Sequence, residues 1–353
     1  MKKIKVAIVG VGTISQHHIV SYLQNPNVEL YAFCDINEET LRAKGEKYGV
    51  TRLYTSEAEM LKALPEIDAV SVCTWNAAHA ECTIAALEAG KHVLCEKPMA
   101  IHADAAQKMI DAAKRNKRKL MVGFVRRFGH DCNVVKDFIG GGALGDIYYA
   151  KASYLRRCGC PGGWFGSKEL AGGGPFIDLG VHVIDLVRYL MGGPKPVAVS
   201  AAAFNKLGAR KHLKDKSPYA AQGAVENAYD VEDLMAAFIR FDNGALLTID
   251  ASFNLNVKQN VNTIELFGTK GGVKIDPKFN LYTEMNNYLT DVNVYMPTEF
   301  KFEEAFAQEI DCFIDAILGD KDLSGIAEDG LTLMKILDAA YRSAKENREI
   351  QID

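Results

Sequence analysis

The sequence predicts a two-domain α/β protein, with a parallel, doubly wound sheet in the first domain and a mainly antiparallel sheet with helices on one side in the second. Its 353 residues are more than one ordinary hydrophobic core organises. Up to residue 123, short apolar runs alternate with helical patterns, whereas longer strand-like runs dominate afterwards. We therefore expect domains at residues 1–123 and 124–353, with closing helices that can pack back on the first domain.

The elements of the first domain follow from its hydrophobic periodicity. Apolar runs of the length of buried strands occupy residues 5–9, 28–34, 69–73, 92–95 and 120–123. Helical patterns lie between them, at residues 14–24, 38–48, 77–89 and 103–115. This alternation is typical of right-handed crossovers in a parallel sheet.

The second domain is predicted from longer strands and few helices. Strand patterns cover residues 197–204, 234–241, 245–253, 263–267 and 273–275. Asp242-Asn243-Gly244 predicts a hairpin turn between two of them. Helices are expected at about residues 131–139, around Asp178, and at about 327–345; another carries an apolar stripe of Phe302, Phe306, Ile310, Phe313, Ile314 and Ile317.

Composition and charge restrict the class of partner. The formal net charge is only −4 and no basic run is sustained, which argues against a nucleic-acid partner. The apolar stretches are shorter than a membrane span requires. Residues 1–5 lead into a strand pattern without a secretory signal, and the eight cysteines show no pairable framework. We expect a cytoplasmic protein with reduced thiols, no metal site and no membrane partner.

A glycine turn joins the first predicted strand to the first helix, in Val9-Gly10-Val11-Gly12-Thr13-Ile14-Ser15. Gly10 permits a tight turn, and Gly12 lets a pyrophosphate approach the backbone at the helix N-terminus. Asp35 ends the second strand, where a carboxylate accepts hydrogen bonds from an adenosine ribose and repels a 2′-phosphate. We predict NAD as the cofactor, with contacts from Gly10, Gly12, Thr13, Ile14 and Asp35. The alternative is a glycine turn that serves packing alone.

Two further segments follow predicted strands, at the edge where open parallel sheets bind their ligands. In Cys95-Glu96-Lys97-Pro98, a lysine facing a nicotinamide would stabilise the oxygen of a reacting hydroxyl. The other segment is Thr74-Trp75-Asn76-Ala77-Ala78-His79. We expect cofactor contacts from Thr74, Asn76, His79, Glu96 and Lys97. Alternatively, Lys97 is a surface lysine in a turn and Asn76 is a helix N-cap.

Residues 171–182 read Ala-Gly-Gly-Gly-Pro-Phe-Ile-Asp-Leu-Gly-Val-His. The three glycines predict a flexible entry, and Pro175 suits the first turn of a helix. Asp178 and His182 then lie four residues apart on one helix face. A carboxylate beside an imidazole fixes its tautomer and stabilises its protonated form, as a general base requires. The spacing alone is also compatible with a surface ion pair.

Several side chains near this segment suit a polyol substrate. Arg126 and Arg156 can donate hydrogen bonds to hydroxyl groups, and Trp164 can stack on a sugar ring. Packing of Trp164 in the core is an equal alternative. Together with Lys97, Asp178 and His182, these three residues form the predicted substrate site.

The chain combines three motifs, which are Gly10-Val11-Gly12 with Asp35, Glu96-Lys97-Pro98, and residues 173–182. With them, the whole chain resembles the Gfo/Idh/MocA family, which is named for glucose–fructose oxidoreductase, inositol dehydrogenase and the protein MocA. The resemblance implies an N-terminal Rossmann domain and a C-terminal α/β domain with a large open sheet. It also implies that Lys97, Asp178 and His182 form the catalytic set. Ser15 departs from the usual third glycine, and Trp75 stands where the family often has proline.

The implied reaction is the reversible, NAD-dependent oxidation of a secondary hydroxyl of a sugar, cyclitol or glycoside to a ketone. His182 would take the hydroxyl proton, Asp178 would hold His182, and Lys97 would stabilise the alkoxide-like oxygen; the sequence leaves open whether Lys97 or His182 is the base. Two other functions stay open. One is an enzyme that holds NAD tightly and oxidises a sugar transiently for glycoside cleavage or epimerisation, and the other is a sensor of NAD and sugar without catalysis.

The predicted strand at residues 245–253 bears on assembly. Its alternation lets one face meet the helices while the other keeps apolar residues such as Leu247, Ile249 and Phe253 or their alternates. Large exposed apolar patches mark interfaces, and the resemblance implies pairing of such sheets across a two-fold axis. We expect a homo-oligomer, a dimer of dimers or larger.

Overall fold

The computed structural model describes residues 3–210, 212–214, 229–276, 278–295, 299–319, 323 and 326–353. These residues form two compact units. Of the described residues, the first unit contains those up to 125 and those from 306 to 334, and the second contains those from 126 to 214, from 229 to 305 and from 335 to 353. The predicted boundary after residue 123 stays a prediction.

The first unit contains a six-stranded sheet in which every pair of neighbouring strands is parallel, in the order β3-β2-β1-β4-β5-β6. Its strands are β1 (Ile4–Val9), β2 (Val28–Cys34), β3 (Leu53–Tyr54), β4 (Ala69–Val72), β5 (His92–Glu96) and β6 (Leu120–Gly123). The helices between them are α1 (Ser15–Gln24), α2 (Glu38–Tyr48), α3 (Glu57–Ala63), α4 (Asn76–Glu88) and α5 (Ala103–Asn116). The predicted parallel, doubly wound sheet is confirmed; β3 and α3 are too short for their periodicity to be visible in the sequence.

The second unit contains a nine-stranded sheet in the order β14-β13-β12-β11-β7-β10-β9-β8-β15. Its strands are β7 (Ile147–Leu155), β8 (Pro196–Phe204), β9 (Leu234–Phe241), β10 (Leu246–Ser252), β11 (Val261–Gly268), β12 (Gly271–Lys274), β13 (Asn280–Met285), β14 (Tyr288–Val292) and β15 (Ile350–Gln351). Only the pair β7 and β10 is parallel among its described neighbours, which confirms the mainly antiparallel sheet.

Five further α-helices occur in the described part of the chain: α6 (His130–Gly140), α7 (Lys168–Ala171), α8 (Val181–Leu190), α9 (Phe302–Leu318) and α10 (Ile326–Glu346). The stripe of α9 is buried at Phe306, Ile310 and Phe313, whereas Phe302 is 49% exposed. From residue 306 onward α9 belongs to the first unit, where Phe306 stacks on the imidazole of His17 with ring centroids 4.8 Å apart.

The central strand β7 is absent from the sequence-based prediction. It pairs with β10 on one side and with β11 on the other. Ala150 and Ala152 are its buried residues near the middle, and these small side chains give a weak hydrophobic alternation. The strand therefore leads directly into the loop that begins at Arg156, and it fixes where that loop starts.

The hairpin between β9 and β10 forms as predicted, with Gly244 at a φ of +83°. The faces of β10 differ from the prediction, because Leu247, Ile249 and Phe253 are all at most 3% exposed. Thr248 and Asp250 occupy the opposite face with intermediate exposure. The outer face is thus more polar than the alternation suggested.

One described helical stretch of 23 residues, Lys168–Leu190, contains an 18-residue window with a mean hydropathy of 1.3, which meets the requirements of a membrane span by length and composition. The sequence-based expectation was that no stretch would do so. Of its most apolar window, 83% is buried, as in the core helix of a folded domain.

Candidate active site

The glycine turn after β1 has the geometry that a bound pyrophosphate requires. Gly10 has a φ of +86°, and its N–H donates to the carbonyl oxygen of Cys34 at 2.8 Å. A Cβ on Gly10 would lie 2.6 Å from the carbonyl oxygen of Cys73, whereas a Cβ on Gly12 would meet no atom within 4 Å. Gly10 is therefore required by the fold of the turn, and Gly12 leaves open space beside the start of α1.

Ser15 stands at the position where the motif usually has its third glycine. Its side chain is fully buried, and its hydroxyl donates to the carbonyl oxygen of Gly12 at 2.8 Å. The small hydroxyl group thus closes the turn while still allowing the helix to approach the strand. Thr13 and Ile14, the other predicted contacts in this turn, lie directly before α1.

Asp35 follows β2 and faces the same turn. Its Oδ2 accepts the N–H of Val11 at 2.7 Å, and its Oδ1 accepts the N–H of Asn37 at 2.8 Å. A carboxylate held beside the glycine turn is positioned to accept hydrogen bonds from a ribose. The open space at Gly12 and the carboxylate of Asp35 together fit NAD.

Glu96 and Lys97 lie at the end of β5. Glu96 is 5% exposed, and its Oε1 accepts a hydrogen bond from Nε2 of His18 at 2.8 Å. Its Oε2 accepts the backbone N–H of Lys97 at 3.1 Å. Burial acts to raise the pKa of Glu96, but the hydrogen bond with His18 and the charges of His18, Lys97 and His79 together outweigh burial and hold that pKa below its usual value. Glu96 therefore supports Lys97 from inside the unit, a role that the sequence pattern did not indicate.

The segment after β4 is tied to the Lys97 loop through His79. Its Nδ1 lies 2.7 Å from the carbonyl oxygen of Pro98, and its Nε2 lies 3.1 Å from the carbonyl oxygen of Thr74. Burial lowers the pKa of His79, although the hydrogen bonds with these two carbonyl groups act to raise it. Asn76 is the first residue of α4 and is 4% exposed; the N-cap is Trp75, so the alternative role of Asn76 as an N-cap is wrong.

Asp178 and His182 lie on consecutive helical segments, not on one regular α-helix. Asp178 belongs to a π-helical turn, Phe176–Gly180, and His182 is the second residue of α8. Asp178 is 8% exposed, whereas the exposure of His182 is intermediate. π-Helical turns inside helices often occur at functional sites. The expected continuous α-helix is corrected here, although the two residues still follow each other within one turn.

The glycines before this turn are packed, not flexible as predicted. A Cβ on Gly173 would lie 2.0 Å from the hydroxyl oxygen of Tyr341, and a Cβ on Gly174 would lie 2.5 Å from the carbonyl oxygen of Glu232. The carboxylate of Glu232 accepts the N–H of Gly174 at 3.0 Å and that of Phe176 at 3.2 Å. These glycines are thus required by close approach to neighbouring atoms.

The loop after β7 contains Cys160, whose thiol is influenced by the charge of Asp178. Burial raises the pKa of the Cys160 thiol to about 11 against the hydrogen bond from the N–H of Gly162; the negative charge of Asp178 raises it further, and the positive charge of Arg156 lowers it. Arg156 is 7% exposed and donates from Nη1 to the carbonyl oxygen of Gly159 at 2.8 Å. Cys160 therefore titrates under the influence of Asp178, and no spacing in the sequence indicates this relation.

Arg126 and Trp164 have defined neighbours in the second unit. Arg126 donates to Asp131 at 2.8 Å and to Asp276 at 3.0 Å, and its guanidinium lies 4.0 Å from the ring centroid of Phe300. Trp164 stacks on the next residue, Phe165, with ring centroids 3.8 Å apart. Their contacts with a substrate stay predictions.

The predicted site residues divide between the two units. The first unit contains the predicted cofactor residues, among them Gly10, Asp35 and Lys97. The second contains the predicted substrate residues other than Lys97, which are Arg126, Arg156, Trp164, Asp178 and His182. Among the described residues, no group of three or more His, Cys, Asp and Glu side chains could hold a metal ion.

Comparison with known proteins covers nearly the whole chain. Residues 4–124 match the model of an oxidoreductase family with an NAD-binding Rossmann fold, and residues 136–352 match the C-terminal α/β domain of that family. The chain is 34% identical to D-glucoside 3-dehydrogenase of Escherichia coli over 99% of this chain and 97% of that protein. It is 27% identical to myo-inositol 2-dehydrogenase of Thermotoga maritima over 99% of this chain and 98% of that protein.

A solved structure agrees with these relatives. Levoglucosan dehydrogenase in complex with NADH superposes with a TM-score of 0.85 and 25% identity, covering 100% of both chains. The fold, the cofactor and the class of reaction follow from these matches and from the glycine turn. The chain therefore belongs to the Gfo/Idh/MocA family of oxidoreductases and is an NAD-dependent dehydrogenase.

Proposed function

We propose that this protein oxidises a secondary hydroxyl of a sugar, cyclitol or glycoside to a ketone, and that a D-glucoside is the first substrate to test. The observation that carries the proposal is the buried carboxylate of Asp178 one helical turn before the partly exposed His182. The similarity to a D-glucoside 3-dehydrogenase supports the choice of a D-glucoside as the first substrate.

The residues of the second unit handle the proton. His182 takes the hydroxyl proton, and Asp178, which is shielded from water, holds the imidazole and stabilises its protonated form. NAD, when bound, accepts the hydride from the carbon that carries the hydroxyl.

Lys97 stabilises the negative charge that develops on the substrate oxygen. Glu96 accepts the backbone N–H of Lys97 at 3.1 Å, and His79 contacts the carbonyl oxygen of Pro98 at 2.7 Å. These two contacts hold the backbone on both sides of the lysine side chain.

Recognition of the substrate is assigned to three further residues. Trp164 offers an aromatic face to the sugar ring, while Arg126 and Arg156 present guanidinium groups to its hydroxyls. The ion pairs of Arg126 with Asp131 and Asp276 hold its guanidinium in place. The hydrogen bond from Arg156 to Gly159 does the same on the loop after β7.

The test is turnover of the purified protein with a panel of D-glucosides, free aldoses and inositols, with and without added NAD. Reduced cofactor that accumulates with a glucoside supports the proposal, and His182→Asn serves as the matched inactive control. Ketone or cleaved product without bulk reduced cofactor supports the alternative of retained NAD and transient oxidation. Ligand binding without either product supports a sensor.

We also propose a homo-oligomer, a dimer of dimers or larger, built through the outer face of the nine-stranded sheet. An open groove of about 570 Å³ on this face is lined by small side chains of β8 and β9, by Lys151 of β7 and Asp250 of β10, and by Phe238, which is 54% exposed. A second copy of the sheet fits such a face across a two-fold axis. Light scattering coupled to size exclusion tests this: a monomer mass near 38.7 kDa contradicts it.

Two further proposals complete this assignment. The protein acts in the cytoplasm on a small molecule, with no nucleic-acid or membrane partner. Residues 1–123 and 124–353 act as separate domains for cofactor and substrate, and limited proteolysis followed by mass spectrometry tests the boundary.

A further inference from the structure

We propose that Glu232 is a positioning residue for the reaction, whose buried carboxylate holds the π-helical turn that carries Asp178. This inference rests on the proposed function of Asp178 and His182. Glu232 lies two residues before β9 and is 5% exposed. Glu232 is not among the site residues predicted from the sequence motifs.

The carboxylate of Glu232 accepts three hydrogen bonds. Its Oε2 accepts the N–H of Gly174 at 3.0 Å. Its Oε1 accepts the N–H of Phe176 at 3.2 Å and the hydroxyl of Tyr341 at 2.8 Å. Two of the donors are therefore backbone groups at the start of the π-helical turn, and the third is a side chain of α10.

The first N–H groups of a helix have no partner within the helix and attract negative charge. Gly174 and Phe176 supply such groups, and Glu232 satisfies both with one side chain. Burial raises the pKa of Glu232, and the hydrogen bonds from Tyr341, Gly174 and Phe176 act against that rise. Burial has the larger effect, so the pKa of Glu232 stays above its usual value, and the three donors limit that rise.

The backbone between these contacts has little room to move. A Cβ on Gly173 would lie 2.0 Å from the hydroxyl oxygen of Tyr341, and one on Gly174 would lie 2.5 Å from the carbonyl oxygen of Glu232. Gly173 therefore packs directly against Tyr341, and Gly174 packs directly against Glu232. The turn is fixed by close packing as well as by hydrogen bonds.

Asp178 is two residues beyond Phe176, and its own N–H donates to the carbonyl oxygen of Gly174 at 3.1 Å. Any shift of Gly174 or Phe176 is therefore transmitted to Asp178 through one turn of backbone. Because a misplacement of about 1 Å in a reacting group can cost roughly 100-fold in rate, loss of these contacts lowers kcat without removing a group that touches the substrate.

The first experiment compares Glu232→Gln and Tyr341→Phe with the wild-type enzyme. The amide group of glutamine turns an N–H toward one of the backbone donors, whereas phenylalanine removes only the hydroxyl of Tyr341. Ser343→Ala is the matched control, because Ser343 is a buried hydroxyl on the same helix that binds Ala201 and Arg348 instead.

We expect kcat to fall about 10- to 100-fold in Glu232→Gln and less in Tyr341→Phe, with the dissociation constant for NADH unchanged in both. Ser343→Ala should keep wild-type kcat. A fall in kcat of the same size in all three variants would show a general loss of stability and overturn the proposal.

A double-mutant cycle with Asp178→Asn separates positioning from a direct role. If Glu232 acts through Asp178, adding Glu232→Gln to Asp178→Asn lowers kcat no further. If the two losses multiply, Glu232 acts elsewhere and the proposal is wrong.

Hydrogen exchange of residues 172–182 gives a readout that does not depend on turnover. Faster exchange of this segment in Glu232→Gln, but not in Ser343→Ala, supports the inference that Glu232 holds the π-helical turn. This result counts even if no carbohydrate in the panel is a substrate. Absence of turnover in the wild-type enzyme contradicts the proposed function alone. Unchanged exchange in Glu232→Gln, or faster exchange with unchanged kcat in an active enzyme, overturns the positioning role.

Discussion

Replacing Gly10 and Gly12 by alanine, one at a time, tests the cofactor turn, because a Cβ meets different surroundings at the two positions. At Gly10 the new Cβ would lie 2.6 Å from the carbonyl oxygen of Cys73, 2.7 Å from its carbonyl carbon and 2.8 Å from the backbone nitrogen of Thr74. All three are backbone atoms, so no side chain can rotate away to relieve the contact.

The cost at Gly10 has two parts. The φ of +86° is unfavourable for any residue with a Cβ, by roughly 1–2 kcal/mol. Overlap with fixed neighbours adds roughly 1–3 kcal/mol, as in overpacked cores. We therefore expect Gly10→Ala to lower the free energy of unfolding of the first unit by about 2–5 kcal/mol.

Gly12→Ala should behave in the opposite way. Its Cβ would meet no atom within 4 Å, so the fold accommodates it, and restriction of the unfolded chain can stabilise the protein by about 0.4–1 kcal/mol. The same methyl group occupies the space beside the start of α1 that the pyrophosphate needs. We expect the dissociation constant for NADH to rise tenfold or more, which corresponds to about 1.4 kcal/mol or more.

Thermal unfolding monitored by circular dichroism and fluorescence titration with NADH measure the two effects separately. The expected pattern is a lower Tm for Gly10→Ala, and a wild-type or slightly higher Tm with weakened NADH binding for Gly12→Ala. Wild-type NADH affinity in Gly12→Ala would refute the assignment of this space to the pyrophosphate. A wild-type Tm in Gly10→Ala would refute the argument from backbone contact.

Three other predictions concern the cofactor, the chemistry and the pH dependence of stability. Asp35→Ser should reduce the preference for NAD over NADP, and fluorescence titration with both cofactors measures it; an unchanged ratio contradicts the role of the carboxylate. Lys97→Ala and His182→Ala should each lower kcat roughly 10²- to 10⁴-fold with NADH affinity nearly intact, and steady-state kinetics that remain close to wild type would remove that residue from the catalytic set. Burial raises the pKa of Glu57 from 4.5 to about 7, so the native state binds the proton more tightly than the unfolded state and stability falls as the pH rises through this interval. Glu57→Gln should therefore raise Tm more at pH 8 than at pH 5, and equal shifts at both values would contradict this account.

The sequence by itself determined the first half of the fold and the cofactor turn. Strands such as Val28–Cys34 are continuous apolar runs between amphipathic helices, so their type and order are local properties of the chain. Gly10, Gly12 and Asp35 follow strand ends at the spacings that are typical of a dinucleotide-binding turn. Their positions could be predicted because the elements that carry them are adjacent in sequence.

The sequence determined the second half less completely. It located Asp178 and His182, but it predicted an α-helix where the chain forms a π-helical turn at Phe176–Gly180. It also missed β7, whose small central side chains hide the alternation of a strand that is nonetheless paired on both sides. Neither feature has a local signal of its own.

Only the tertiary structure decided which residues support the site. Glu232 is 58 residues from Gly174 and 109 residues from Tyr341, so no sequence periodicity relates them. His18 is 78 residues from Glu96, which it meets inside the first unit. Contacts of this kind arise because buried carboxylates must find donors wherever the fold provides them, and that choice is made by packing and not by the order of residues in the chain.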